Sequence, residues 1–213
     1  MAITLAKGQG LSLEKSQHNL SLVTIGLGWD IAAQKKSFLG GLFGEQPAEY
    51  DLDVVAFLCD ANDTVRDVGR DASGNPTLKN SDVIFFNNLK HRSGDIWLTG
   101  DNRTGAGDGD DEQIIVKLNS LSNDYYKIVF IVQIYEGAKN NQHFGQVQNA
   151  FIRAVDASGK EMVRFNLSGK DQYDQQRSLL FAELVRESNG WKFNALGSSS
   201  ASDNFVEWLK KYV

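Results

Sequence analysis

Apolar residues along this chain recur mostly at every second position, in short runs broken by clusters of Asp, Asn, Ser and Gly. Residues 20–28 (LSLVTIGLG) alternate and are β-branched. The signal repeats at 51–58 (DLDVVAFL), 83–86 (VIFF), 96–99 (IWLT), 112–118 (EQIIVKL), 127–135 (KIVFIVQIY), 150–155 and 162–167. A two-residue period lines apolar side chains along one face of a strand. Turn-forming clusters separate the runs: Asp60-Ala61-Asn62-Asp63, Asp71-Ala72-Ser73-Gly74, Ser93-Gly94-Asp95 and Asp156-Ala157-Ser158-Gly159. Many short strands at this spacing predict an all-β fold, a β-sandwich of two mostly antiparallel sheets.

Helical periodicity is minor. Short helices are expected at 141–148 and 173–179. A C-terminal one is expected at 203–212, with Asp203 as its cap and Phe205, Val206, Trp208, Leu209 and Tyr212 along one face. Residues 37–47 (SFLGGLFGEQP) interrupt apolar Phe38, Leu39, Leu42 and Phe43 with glycines; they read as a loop, too short to cross a bilayer. A likeness between 56–66 and 150–164 is too short to mark a duplicated domain.

Between Asp101 and Glu112 stand five carboxylates and one arginine, separated by Gly105, Gly107 and Gly109 rather than by core residues. Gathering so many anions costs Coulomb energy unless a positive charge sits among them. An oxygen-rich, glycine-spaced segment without His or Cys suits Ca²⁺ first and Mg²⁺ second. It is not an EF-hand, because Arg103, Gly105 and Ala106 occupy the third, fifth and sixth places of that template. The plain alternative is a solvated acidic loop.

At 213 residues, 41% of them hydrophobic, the chain can bury a core as one domain. Its net charge of -5 argues against a general nucleic-acid binder and gives no reason to sit on an anionic membrane. One cysteine, Cys59, excludes an intramolecular disulfide and accords with a reducing compartment. With no visible signal peptide and no long apolar run, a soluble cytoplasmic protein is expected.

Two further acidic signals stand out. Asp51 and Asp53 share one face of a strand while Leu52 points to the core, and Asp30 follows Gly28-Trp29 where a predicted strand ends. Together with the segment from Gly100 to Glu112, the stretches Gly26-Leu27-Gly28-Trp29-Asp30 and Tyr50-Asp51-Leu52-Asp53 resemble the TerD family of tellurium-resistance and stress-response proteins. Leu5-Ala6-Lys7-Gly8-Gln9, Asp82 to Leu89 (DVIFFNNL), Phe144-Gly145-Gln146-Val147 with Ala150-Phe151-Ile152-Arg153, Leu180 to Leu184 (LFAEL) and Gly190-Trp191-Lys192-Phe193 extend the resemblance over nearly the whole chain. It departs at 35–48, where typical members have a shorter connection.

The resemblance implies a β-sandwich binding two Ca²⁺ ions through acidic loops at one end. It also implies a bacterial operon conferring resistance to tellurite, some phages and pore-forming colicins. Other tellurium-resistance proteins are the implied partners, some membrane-embedded, which would bring this chain to the inner face of the membrane. Carried over residue by residue, the side-chain ligands are Asp30, Asp53, Asp101, Asp110 and Glu112, then Asp51, Asn102, Asp108 and Asp111, with carbonyls from Gly105 and Gly107. The expected role is a calcium-dependent scaffold or sensor.

Two alternatives stay open: a metal-dependent hydrolase using the acidic cluster, and purely structural calcium in an interaction module. Against the enzyme, no Walker A, nucleophile-elbow or dinucleotide pattern occurs. His18, His91 and His143 lie outside the acidic motifs and read as surface or hydrogen-bonded residues. Cys59 reads as a packed, inert thiol.

Overall fold

The computed structural model describes residues 2–31, 50–99, 109–167 and 170–213. Among these residues twelve strands form two six-stranded sheets. In chain order they are β1 (Ile3–Leu5), β2 (Gly10–Glu14), β3 (Val23–Ile31), β4 (Leu52–Cys59), β5 (Val83–Ile84), β6 (Ile96–Thr99), β7 (Glu112–Val116), β8 (Lys127–Ile134), β9 (Val147–Val155), β10 (Glu161–Asn166), β11 (Ser178–Glu187) and β12 (Gly190–Ser200). The first sheet runs β1-β10-β9-β3-β7-β6 and the second β2-β12-β11-β8-β4-β5. Every pairing is antiparallel except β1 with β10.

The all-β sandwich expected from the sequence is therefore what forms, and its core follows the alternation. On β9 the buried Val147, Ala150, Ile152 and Ala154 face the second sheet, and half-buried Phe151 and Arg153 face outward. The central pair β4 and β8 breaks that rule. Every residue of β4 is buried, since both of its faces are covered. Leu52, Val54, Ala56 and Leu58 point into the sandwich. Val55, Phe57 and Cys59 point the other way, into a second apolar cluster with Phe85, Phe205, Trp208 and Leu209. Strands covered on both sides read as unbroken apolar runs, as strands of buried parallel sheets also do.

That second layer corrects the C-terminal expectation. The helix is one turn, Val206–Leu209 (α1), and Asp203 does not cap it. Asn204 Oδ1 accepts the Val206 N–H at 3.0 Å, while Asp203 Oδ2 accepts the Ala138 N–H at 2.8 Å. The segment holds by packing, with Phe57 against Tyr212 (5.8 Å) and Phe205 (6.3 Å). The other two helices shrink to 3-10 turns, Phe144–Gln146 and Lys170–Tyr173, because Val147 onward joins β9 and Ser178 onward joins β11.

The Asp-led turns are built as their sequences suggest. Asp60, Asp71 and Asp156 each turn a carboxylate back onto N–H groups two and four residues ahead. The likeness between 56–66 and 150–164 ends at this turn chemistry. Only the second stretch is a hairpin of paired strands, β9 with β10.

Candidate functional site

β3 ends beside the start of β7, with Leu27 opposite Glu112, and Glu112 in turn reaches the start of β4. Asp30, Asp51, Asp53, Asp110, Asp111 and Glu112 are thereby carried to one end of the sandwich. They do not share one environment.

Asp110 lies over the β3 backbone at Gly26, where a Cβ would collide with its carboxylate. That approach is why a glycine stands at 26 in the middle of a strand. Its side chain is 2% exposed. Oδ1 accepts Arg153 Nε at 2.7 Å and Oδ2 accepts Gln113 Nε2 at 3.3 Å, so the counter-charge at Asp110 is an arginine. Arg153 also donates to Glu161 at 2.9 Å. The hydrogen bond to Asp110, against the opposing effect of burial, holds this guanidinium above its ordinary pKa.

Asp111 fastens the entry to β7 onto β3. Its N–H donates to Leu27 O at 2.7 Å, and its Oδ2 accepts the Trp29 N–H at 2.9 Å. Burial raises the Asp111 pKa; the Trp29 hydrogen bond opposes this, and the charges of Asp30 and Asp110 reinforce it. Asp30 is exposed, and its Oδ2 accepts Asn149 Nδ2 at 2.6 Å.

The other carboxylates face elsewhere. Glu112 points between the sheets, 3% exposed, and accepts the Val54 N–H at 2.6 Å. The ladder partner β5 reaches only Ala56 and Phe57, so this carboxylate satisfies a β4 donor beyond it. Asp53 shares the outer face of the second sheet with Val55 and Phe57, and accepts Gln133 Nε2 at 3.2 Å. Gln133 Oε1 then accepts the Phe205 N–H at 2.8 Å, so this chain of bonds holds the C-terminal layer. Asp51 is half-buried just before β4, its carbonyl accepting the Tyr135 N–H at 2.8 Å. Asp101, Asn102, Gly105, Gly107 and Asp108, like the apolar loop at 35–48, lie outside the described residues. Among the described residues no three Asp, Glu, His or Cys side chains gather closely enough to hold one ion.

Sequence reasoning missed the protein donors that engage these carboxylates: Arg153, Gln133 and Asn149. The available signal was Arg153 on the outward phase of β9, two residues from Phe151. It also missed a buried cluster around Asp82. There Oδ1 meets His91 Nε2 at 3.1 Å, the Tyr125 hydroxyl at 2.9 Å and Arg92 at 3.0 Å, and Oδ2 accepts the Asp67 N–H at 3.1 Å. Ser93 Oγ lies 2.8 Å from His91 Nδ1, which completes a serine–histidine–aspartate sequence of contacts. The same hydroxyl accepts the Asp95 N–H at 3.1 Å, and the Ser93 N–H donates to His91 Nδ1. These are the bonds of a tight turn closed by Gly94, whose φ is +76°. Cys59 is fully buried, and burial pushes its thiol up to about 12, as expected of an inert cysteine.

A cleft of about 460 Å³ opens beside Asp30 and Asp111, floored by Phe151 and reached by Asn149, Arg164 and Asn166. Gly28 lies against the Phe151 ring. A Cβ there would overlap the Phe151 ring and sit 2.8 Å from Gly109 O. Gly28→Ala should therefore cost about 1–3 kcal/mol by overpacking, measured by urea denaturation. A loss below about 0.5 kcal/mol would mean the ring moves aside freely.

The TerD domain profile matches residues 1–212. The chain belongs to the TerD family. It is 63% identical to Tellurium resistance protein TerX of Serratia marcescens over the full length of both chains. It is 38% identical to Stress response protein SCP2 of Bacillus subtilis, again over the full length of both. Tellurium resistance protein TerD of Serratia marcescens is 37% identical, over 94% of this chain and 92% of that one. A crystal structure of a Streptomyces coelicolor homologue of telluride resistance protein superposes with a TM-score of 0.59 at 21% identity, over 88% and 95% of the two chains. That likeness concerns the fold alone. This TerD-family chain is thus a member of the tellurium-resistance and stress-response group. Among its described residues no helix is long and apolar enough to cross a membrane.

Proposed function

We propose that this TerD-family chain is a calcium-binding stress-response protein, acting as a calcium-dependent scaffold or sensor that recruits partners. The observation that supports it best is the crowding of Asp30, Asp110 and Asp111 about the end of β3. Arg153 compensates Asp110, yet burial and two neighbouring negative charges still raise the Asp111 pKa. Asp110 to Glu112 continue directly from the acidic, glycine-spaced segment that begins at Asp101. All the donors are oxygens, the set preferred by a hard cation. Asp30 and Asp111, with ligands from 101–108, would hold the ion. Asp110, Glu112 and Asp53 act first as structural acceptors for Arg153, Val54 and Gln133. The ion would supply the positive charge that orders these acidic strand ends.

We extend the proposal to a cytoplasmic protein that meets other tellurium-resistance proteins, one of them in the membrane. Calorimetric titration of EGTA-treated protein with Ca²⁺, in excess Mg²⁺, tests the central claim. The expected result is micromolar binding of about two ions. It should be weakened at least tenfold in both Asp30→Asn and Asp101→Ala, with a stability gain near 2.7 kcal/mol at about a hundredfold excess over Kd. A titration with no heat and no thermal shift, or binding that Mg²⁺ erases, would sink it.

A further inference from the structure

The cleft beside Asp30 holds an arginine that the fold leaves underused. Arg164, on β10, is 26% exposed, and its guanidinium lies over the Phe151 ring, 3.6 Å from the centroid. The ring in turn rests on the bare backbone of Gly28. Arg164 Nε is buried with no hydrogen-bond partner among the described residues. The carboxylate it approaches, Glu161, has Oε1 at 3.9 Å, beyond hydrogen-bond range, and gives Oε2 to Arg153 at 2.9 Å. The ring contact thus holds the guanidinium in place, and its donors make no hydrogen bond among the described residues. This is the arrangement in which arginine receives a carboxylate or phosphate with two parallel bonds.

The same cleft carries Asp30 and Asp111. A simple anion drawn to Arg164 would be repelled by those carboxylates, and a simple ammonium, which lacks the further oxygen ligands that calcium would draw from 101–108, would meet Arg164. Inside a partly desolvated cleft both penalties are larger than in bulk water. A ligand carrying both charges satisfies the two walls together. Asn149, which already orients Asp30, and Asn166 add neutral hydrogen-bonding groups along the way.

We infer that this cleft binds a small dipolar ligand, an oxyanion joined to an ammonium group, with the oxyanion on Arg164 and the ammonium on Asp30. The site does not require calcium, although an ion at Asp30 would compete with the ammonium.

The test is a ¹H–¹⁵N chemical-shift titration of the full chain in EGTA with four probes. O-phosphoethanolamine and the longer 4-aminobutylphosphonate carry both charges. Methyl phosphate carries only the anion and ethanolamine only the cation. At least one dipolar probe should saturate at millimolar concentration or below, shifting the amides of Asp30, Phe151 and Arg164. Each single-charge probe should bind at least tenfold more weakly. Arg164→Gln and Asp30→Asn should each lower the dipolar affinity at least tenfold. Arg164→Lys, which keeps the charge and the fold but loses the paired donors, should do so severalfold. Neither dipolar probe binding the wild type would overturn the inference. So would unchanged affinity in Arg164→Gln or Arg164→Lys, or methyl phosphate binding as tightly as the dipolar probes. Calcium added afterwards should displace the probe; failure to do so would count against calcium at Asp30 and leave the dipolar site standing.

Discussion

Asp82→Ala should remove about 3–5 kcal/mol of stability, because it strips the buried His91 and Tyr125 and the Asp67 N–H of their shared acceptor, at about 1–3 kcal/mol for each donor left unsatisfied. Asp82 is 1% exposed and is the common acceptor for His91, Tyr125, Arg92 and the Asp67 N–H. Burial alone would raise its pKa, but the hydrogen bonds from His91 and Tyr125 and the charge of Arg92 outweigh burial and lower it. Burial, aided by Asp82 itself, pushes the Tyr125 hydroxyl up to about 12, so it remains a donor at neutral pH. The network joins β5, the turn after it and the segment before β8, none of which has a long strand ladder of its own.

The same lowering fixes the pH dependence. A carboxyl whose folded pKa lies below its unfolded value of about 3.9 stabilises fully above that value. The contribution is lost as pH falls through the folded pKa. The stability difference between wild type and Asp82→Ala should therefore be constant from about pH 5 to neutrality and shrink below about pH 4. Urea denaturation across that range measures it. A difference under 1 kcal/mol at pH 7, or one that grows on acidification, would refute the account.

The second large effect is expected at Trp191. It is the second residue of β12, is fully buried, and is held between β2 and β11, opposite Leu13 and Arg186. Its indole Nε1 donates to Leu118 O at 3.4 Å. The Arg186 guanidinium stacks 4.4 Å from its ring and donates to Leu121 O, Ser122 O and Tyr125 O. The ring thus fills the core, and Arg186 satisfies carbonyls of the crossing from β7 to β8. Trp191→Ala should cost about 3–5 kcal/mol, lowering Tm by roughly 6–20 °C in a domain of this size. Trp191→Phe, which keeps most of the volume, should recover more than half of that loss. Equal losses in the two variants would shift the cause from volume to the indole hydrogen bond.

Much of the architecture was legible because both-sided burial writes itself as unbroken apolar runs. β4 and β8 were found for that reason, and the Asp-led turns marked where strands stop. β11 was missed. Its sequence SLLFAELVRE carries good helix formers, and it is extended only because β8 and β12 flank it. β1 and β2 are short edge strands whose pairing partners are distant in sequence, which no local pattern reveals. In the candidate site, acidity was plain but allegiance was not. Asp110, Glu112 and Asp53 all read as ligand-like, and only the fold brings each to a particular donor, Arg153, Val54 or Gln133. Arg164 carried no motif, because its meaning depends on Phe151 packing against Gly28, two strands away from Arg164.

The pairing order also sets a clock on biosynthesis. The strands β1 and β2, made first, find their ladders only in β10 and β12, made near the end. At roughly 5–20 residues added per second, the leading segment waits about 10–40 s for a partner. During that interval a nascent chain exposes the apolar runs of β4 and β8 with neither sheet closed. Holding factors on the ribosome, or slow release, therefore bear on the yield of this protein more than on the stability it has once finished.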